Sequence, residues 1–243
     1  MSTQATGKVI LITGVGRRIG AHLAEHLLSQ GHRVIGTYRK YTPQLTALVD
    51  QGLIAVPCEL TEPLAAEKLG AAIIAAVSRL DAIIHNASVW YDDIECALDP
   101  AKSAELYHVH VTAPVQITEE LQRILPVRDQ AGRASRLVLF MSDAAAHDGE
   151  ANHLHYFASK AAVESAVRSL AKRLAPHTRV NAIAPGLIMF HPEDDEGHRT
   201  RRLQQNLLPF EPGAHVIGQT VDYLLACPAI TATTIKVDNG HRP

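Results

Sequence analysis

Tyr156 and Lys160 lie four residues apart in a stretch whose apolar positions, Val163, Val167, Leu170 and Leu174, recur at helical spacing, so both side chains share one helix face. An ammonium beside a phenol favours the phenolate and lowers the tyrosine pKa from its usual value of about 10, which would make Tyr156 a proton donor near neutrality. A second group of residues suits phosphate. Thr13-Gly14-Val15-Gly16-Arg17-Arg18-Ile19-Gly20 follows an apolar run and opens an amphipathic stretch carrying Leu23, Leu27 and Leu28. Glycines there permit a tight turn and the close approach of a pyrophosphate to the free N–H groups of a helix start. The spacing is not G-x-G-x-x-G, because position 19 is Ile. Further on, Thr37-Tyr38-Arg39-Lys40 offers no carboxylate for a ribose 2′-hydroxyl, whereas Arg39, helped by Lys40 or Arg17, suits a 2′-phosphate. NADP is therefore the expected dinucleotide. The pairs His108-x-His110 and His153-x-His155 do not suit a metal, since residues two apart diverge on a helix and no convergent Cys or H-E-x-x-H pattern accompanies them.

The elements that must position these groups alternate along the chain. Short β-branched runs at 9–12, 33–35, 53–56, 82–84, 137–140, 180–183 and 234–237 are separated by helical stretches, among them one ending at 30 and others at 64–77, 102–125, 153–174 and 214–226. Strands apolar on both faces need cover on both sides, which predicts an α/β fold: one doubly wound, Rossmann-type parallel sheet with helices on both faces. No repeat or linker breaks the rhythm, so residues 1–243 are expected to form one domain. The exception is 187–212, long, charged around Glu193-Asp194-Asp195-Glu196 and bracketed by Pro185 and Pro212; it suits a substrate lid or a solvated surface helix with loops.

Composition narrows the class. A net charge of −2 with no basic block argues against nucleic acid or an anionic membrane as partner. Protonating all 14 His would carry the charge to +12, so pH sensitivity near 6.5 is expected. Cys58, Cys96 and Cys227 are odd in number and scattered, which fits reduced thiols in a cytoplasm. Residues 1–8 lack a leader pattern, and the apolar run 69–77 is too short to span a bilayer.

Thr13-Gly14 with Gly20, His85-Asn86-Ala87-Ser88, Tyr156-x-x-x-Lys160 and Asn181-x-x-x-Pro185-Gly186 occur in an order and strand context that resembles the short-chain dehydrogenase/reductase family from Lys8 to Val237-Asp238-Asn239-Gly240. The resemblance implies that NADP(H) lies across the C-terminal strand edges and that Lys160 binds its ribose beside the proton donor Tyr156. By the same resemblance the cofactor contacts fall on Gly14, Gly16, Arg17, Arg18, Ile19 and Gly20; on Tyr38, Arg39 and Lys40; and on Glu59 and Leu60. Asn86, Ala87 and Ser88, then Tyr156 and Lys160, and finally Pro185 and Gly186 complete the set.

Two departures narrow the resemblance. Arg18 replaces the middle glycine of the family turn, and Asp143 stands where most members have the catalytic serine. Together they resemble the pteridine reductase branch, and within it the bacterial members that reduce dihydromonapterin. That likeness implies the catalytic set Asp143, Tyr156 and Lys160, and substrate contacts from Arg18, Ser88, Trp90, Asp143, Tyr156 and Leu187, with Trp90 stacking a flat pterin against nicotinamide. Reduction of a 7,8-dihydropterin needs such a ring clamp, a hydride donor and an acid; dihydrofolate is a side substrate on this reading. Burial would raise the Asp143 pKa and let it share a proton with Tyr156. Ser142 would restore ordinary carbonyl chemistry only if a bulge turned it inward, since a one-residue shift on a strand reverses the face. That rival is an NADP-dependent carbonyl or alcohol oxidoreductase; a rival of another class is a silent NADP-binding sensor. His110 replaces a family asparagine that supports a water relay, and reads as a packed core histidine or a substitute proton conductor. A homotetramer is implied by the family, and Ala161, Ala162 and Ala166 would allow close helix approach.

Overall fold

The computed structural model describes residues 7–125 and 136–241. Its strands are Val9–Ile12 (β1), Arg33–Tyr38 (β2), Ile54–Pro57 (β3), Ala82–His85 (β4), Arg136–Met141 (β5), Thr178–Pro185 (β6) and Thr234–Val237 (β7). They form one sheet in the order β3-β2-β1-β4-β5-β6-β7, with every neighbouring pair parallel. The direction of winding reverses between β1 and β4, which opens the crevice where α/β sheets bind ligands.

Alternation along each strand splits the interior in two. Leu11, Ile83, Val138, Phe140 and Val180 point to one face. There they pack on Ala65–Ala76 (α3), Ala113–Ile124 (α6) and Leu154–Leu174 (α7). Ile10, Ile12, Val34, Ile84 and Leu139 point to the other face. Their cover is Arg18–Ser29 (α1), Pro43–Asp50 (α2) and His215–Ala226 (α9). Each fully buried Ile, Leu or Phe contributes roughly 1.5–3 kcal/mol, so both helical layers are held mainly by apolar burial.

The helix expected at 102–125 is not continuous. Pro100–Tyr107 (α5) runs into a wide π-type turn, His108–Thr112, before α6 begins. Pro114 has no N–H to give the carbonyl of His110, so the ladder loosens in the turn before it. A short helix before it, Asp93–Leu98 (α4), was not anticipated, although Asp92 and Glu95 form a capping box that marks its start.

Beyond β6 the chain enters 187–212, which contains Glu196–Gln204 (α8). Asp195 caps it by accepting from the His198 N–H at 2.7 Å, and the helix buries none of its residues. Its exit is stitched to the last described residues: Leu207 N–H donates to Gly240 O at 3.1 Å, Leu208 N–H to Asn239 O at 3.0 Å, and Asn206 bridges to His241. No described helix is long and apolar enough to cross a membrane.

Candidate active site

The turn after β1 is locked to the turn after β4. Thr13 Oγ1 accepts from the N–H groups of Asn86 and Ala87 at 3.0 and 3.1 Å, while the Asn86 amide donates to the carbonyls of Thr13 and Gly14, both at 3.0 Å. Gly14 has φ +75°, and a Cβ there would stand 2.9 Å from Ala87 Cα. A Cβ on Gly20 would fall 2.1 Å from Gly14 O, so the helix starts against bare backbone. Among the described residues no side chain caps the start of α1. The first N–H groups of a helix lack intrahelical partners, and here their positive end faces the crevice as a seat for phosphate.

Arg18 adopts φ +52° where glycine would be unstrained, at a cost of roughly 1–2 kcal/mol. Its guanidinium donates to Met189 O at 3.2 Å, joining the phosphate turn to the segment that leads to α8. Arg39 and Lys40 are exposed at the end of β2. A carboxylate does approach this corner, from the turn after the adjacent strand β3: Glu59 Oε2 lies 3.9 Å from Arg39 Nε. Reading the end of β2 alone could not show that. Glu59 also accepts from the Thr61 N–H and hydroxyl, at 3.4 and 3.1 Å.

Asp143, Tyr156 and Lys160 come together at the end of β5 and the first turns of α7. The Tyr156 hydroxyl donates to Asp143 Oδ2 at 3.3 Å. Lys160 Nζ donates to Met141 O at 3.0 Å and sits 5.5 Å from the centre of the Tyr156 ring. The expected lowering of the tyrosine pKa is not found. Burial pushes the phenol well above its ordinary value and the adjacent Asp143 carboxylate pushes it further in the same direction. Burial also raises the Asp143 pKa, against the opposing hydrogen bond from Ala145 N–H and the charge of Lys160. Lys160 is pushed down to about 8 by burial, with Asp143 working against the shift. The arrangement therefore keeps protons on the phenol and, more than usual, on the carboxyl.

Ser142 points elsewhere. Its hydroxyl donates to Glu164 Oε1 at 2.9 Å, under α7, and Glu164 in turn pairs with His147 at 2.8 Å. No bulge returns it to Tyr156, so the strand parity argument holds.

Trp90 is 53% exposed and outside both cores. Its ring lies 4.3 Å from that of Tyr156 and 4.4 Å from that of His153. His153 was read only as half of a rejected metal pair; its position three residues before Tyr156, on the same helical face, was the available signal. Its neighbour in the other pair, His108, bonds to Leu60 O at 2.9 Å, well separated from His110 in its contacts.

Ser88 is exposed to the crevice and hydrogen-bonded at 2.8 Å to His110 Nε2. His110 is buried in the wide turn, and its Nδ1 meets Ser159 Oγ at 2.8 Å. It is thus more than packing. Asn181, part of the motif that aided the sequence reading, ties β6 to the loop before β7 by donating to Ile230 O at 3.0 Å and is structural. Pro185, Gly186 and Leu187 border the crevice end of β6, and the charge of Arg202 on α8 is felt at Asp143.

The profile of the short chain dehydrogenase family matches residues 8–195. The dihydromonapterin reductase of Klebsiella pneumoniae is 35% identical over 232 residues, which are 96% of this chain and 95% of that protein. The dihydromonapterin reductase of Escherichia coli is 33% identical over the same shares. Among solved structures, the FolM alternative dihydrofolate reductase 1 of Brucella canis, complexed with NADP, matches with a TM-score of 0.86 at 27% identity, covering 99% of this chain and 96% of that one.

Proposed function

The chain belongs to the short-chain dehydrogenase family, and we propose that it is an NADPH-dependent reductase of pterins, acting on a 7,8-dihydropterin. The observation that carries this reading is the carboxylate of Asp143, in place of a serine hydroxyl, bonded to the Tyr156 hydroxyl beneath the exposed ring of Trp90. Dihydromonapterin, reduced to tetrahydromonapterin, is the substrate we assign, with dihydrofolate as a side substrate; the two 33–35% identical relatives carry the first activity in their names and the Brucella protein the second.

The residues present fit the cofactor. The open start of α1, backed by Gly14 and Gly20 where a side chain would clash, suits a pyrophosphate; Arg39 suits the 2′-phosphate that separates NADPH from NADH; and Lys160 suits the ribose. When bound, NADPH supplies the hydride. The chain's own residues do the rest: Trp90 covers one face of the flat ring, Ser88 and Arg18 fix its edge, and the Asp143–Tyr156 pair holds the proton destined for N5. The segment 187–212, tied to Arg18 through Met189, acts in this reading as the lid that excludes water. We extend the assignment to a cytoplasmic homotetramer, in keeping with the family and with the half-buried Ala161, Ala162 and Ala166 on α7.

The test is a spectrophotometric assay of the purified protein with NADPH on dihydromonapterin, dihydrofolate and a panel of ketones. NADPH oxidation with the dihydropterins is expected; turnover of ketones alone, or cofactor binding without any turnover, defeats the assignment.

A further inference from the structure

His110 offers a detail that neither the family pattern nor the proposed reaction requires. Both of its ring nitrogens are occupied, Nε2 by Ser88 Oγ and Nδ1 by Ser159 Oγ, each at 2.8 Å. A neutral imidazole donates from one nitrogen and accepts at the other, so the partners decide which is which. Ser159 has one hydroxyl proton, and it lies 2.6 Å from the main-chain carbonyl of Tyr156, which can only accept. That proton is committed, since two bare oxygens at such a distance would repel. Ser159 must therefore accept from His110, which places the imidazole proton on Nδ1. At the other end, Val89 N–H points at Nε2 from 3.4 Å and can only donate. The Ser159 end thus fixes the tautomer, with a bare Nε2; the Val89 N–H suits it, although the Val89 backbone also favours the protonated ring.

The consequence falls on Ser88. Its hydroxyl must donate to Nε2 at 2.8 Å in preference to Val89 O, which is farther away at 3.3 Å. Its lone pairs then face the crevice, where the Tyr156 hydroxyl also stands within hydrogen-bonding reach of Ser88. Burial, with Lys160 nearby, holds the His110 pKa well below the ordinary histidine value, so the ring stays neutral and the polarity persists at physiological pH.

We propose that His110 is a positioning residue that, through its bare Nε2, makes Ser88 an obligate hydrogen-bond acceptor toward the crevice, so that the site selects a planar heterocycle presenting an N–H donor on the edge beside Ser88. The substrate class rests on the pterin reading; the tautomer and the polarity of Ser88 do not. An imidazole at this place therefore reads the substrate without touching it.

The experiment has two arms. In protein labelled with ¹⁵N-histidine, two-bond ¹H–¹⁵N spectra, assigned by the signals that vanish in H110N, are expected to show His110 protonated on Nδ1 and bare on Nε2, with and without NADPH. A proton on Nε2, rapid averaging between the two forms, or an imidazolium near pH 7 overturns the proposal even if dihydropterins are turned over. The kinetic arm uses H110N, whose shorter amide cannot reach Ser88. It is expected to raise the dihydropterin KM about five- to tenfold, the size of one neutral hydrogen bond, with kcat and the NADPH KM nearly unchanged. The S88A/H110N double variant should be no worse than S88A alone. Additive losses, or a fall in kcat with KM intact, refute the route through Ser88. Absence of any dihydropterin turnover in the wild type would defeat the pterin reading, and the spectra would still decide the tautomer.

Discussion

Asp143 after β5 and Tyr156 and Lys160 on α7 are each pulled from their ordinary protonation behaviour by burial, and the direction of each pull can be tested. The Asp143 pKa is raised on folding, so its ionised form is destabilising. In the range above its unfolded value of 3.8 the folded state binds the extra proton, and stability falls as pH rises through that range. D143N is accordingly expected to melt at a higher temperature than the wild type at pH 7, with the difference closing toward pH 4; thermal unfolding at both values decides it. The same variant, D143A and Y156F should each lower kcat by about 10²-fold or more, the size of a lost general acid, in the dihydropterin assay. Lys160 has the opposite sign. Its pKa is lowered to about 8, so the ammonium that would hold the ribose is lost as pH rises through that value, and an alkaline limb is expected there in kcat/KM for NADPH. K160R, which stays charged, should move that limb to higher pH even if its overall rate is lower. The pKa shifts were the part of the site hardest to read in the sequence, because the spacing of Tyr156 and Lys160 shows proximity but not desolvation. The expected ammonium effect is not seen at Tyr156, where burial and then Asp143 set the direction.

At the level of strands and turns, one residue of register separates two chemistries. Ser142 lies under α7 with Glu164 and Asp143 lies at the crevice, so S142A should change kcat less than about threefold, whereas a loss of 10²-fold would restore a hydroxyl-based mechanism. R39A tests the corner between β2 and β3. Losing a charge-assisted contact costs roughly 1.5–3 kcal/mol, so binding of NADPH should weaken about tenfold or more while NADH is nearly unaffected. Titration of both cofactors measures the difference, and equal weakening would remove Arg39 from the phosphate role. The strands and long helices were legible because apolar periodicity is set by the sheet and its cover. The break at His108–Thr112 was not, since it depends on Pro114 acting against the turn before it, and neither was the approach of Glu59, which requires the β2–β3 register.

Across the molecule, the parallel sheet and its cover on both faces could be anticipated from alternation, whereas the strand order came only with the structure, and the residues that converge on the crevice come from the ends of β1, β2, β4, β5 and β6 and from the first turns of α7. That convergence is a property of parallel winding, which brings every strand's carboxyl end to one edge. What alternation could not show is how 187–212 is held, because beyond Ile188 and Met189, which pack on the core, its helix α8 buries no face and polar contacts fix the rest. Two anchors hold it at opposite ends: Arg18 through Met189, and the main-chain stitch of Asn206, Leu207 and Leu208 to residues 239–241. The second anchor ties the segment 187–212 to the residues that follow β7. A protein cut after Asp238 would keep its sheet yet lose the clasp that steadies one end of this segment, so proteases should nick 187–212 sooner than in the uncut protein.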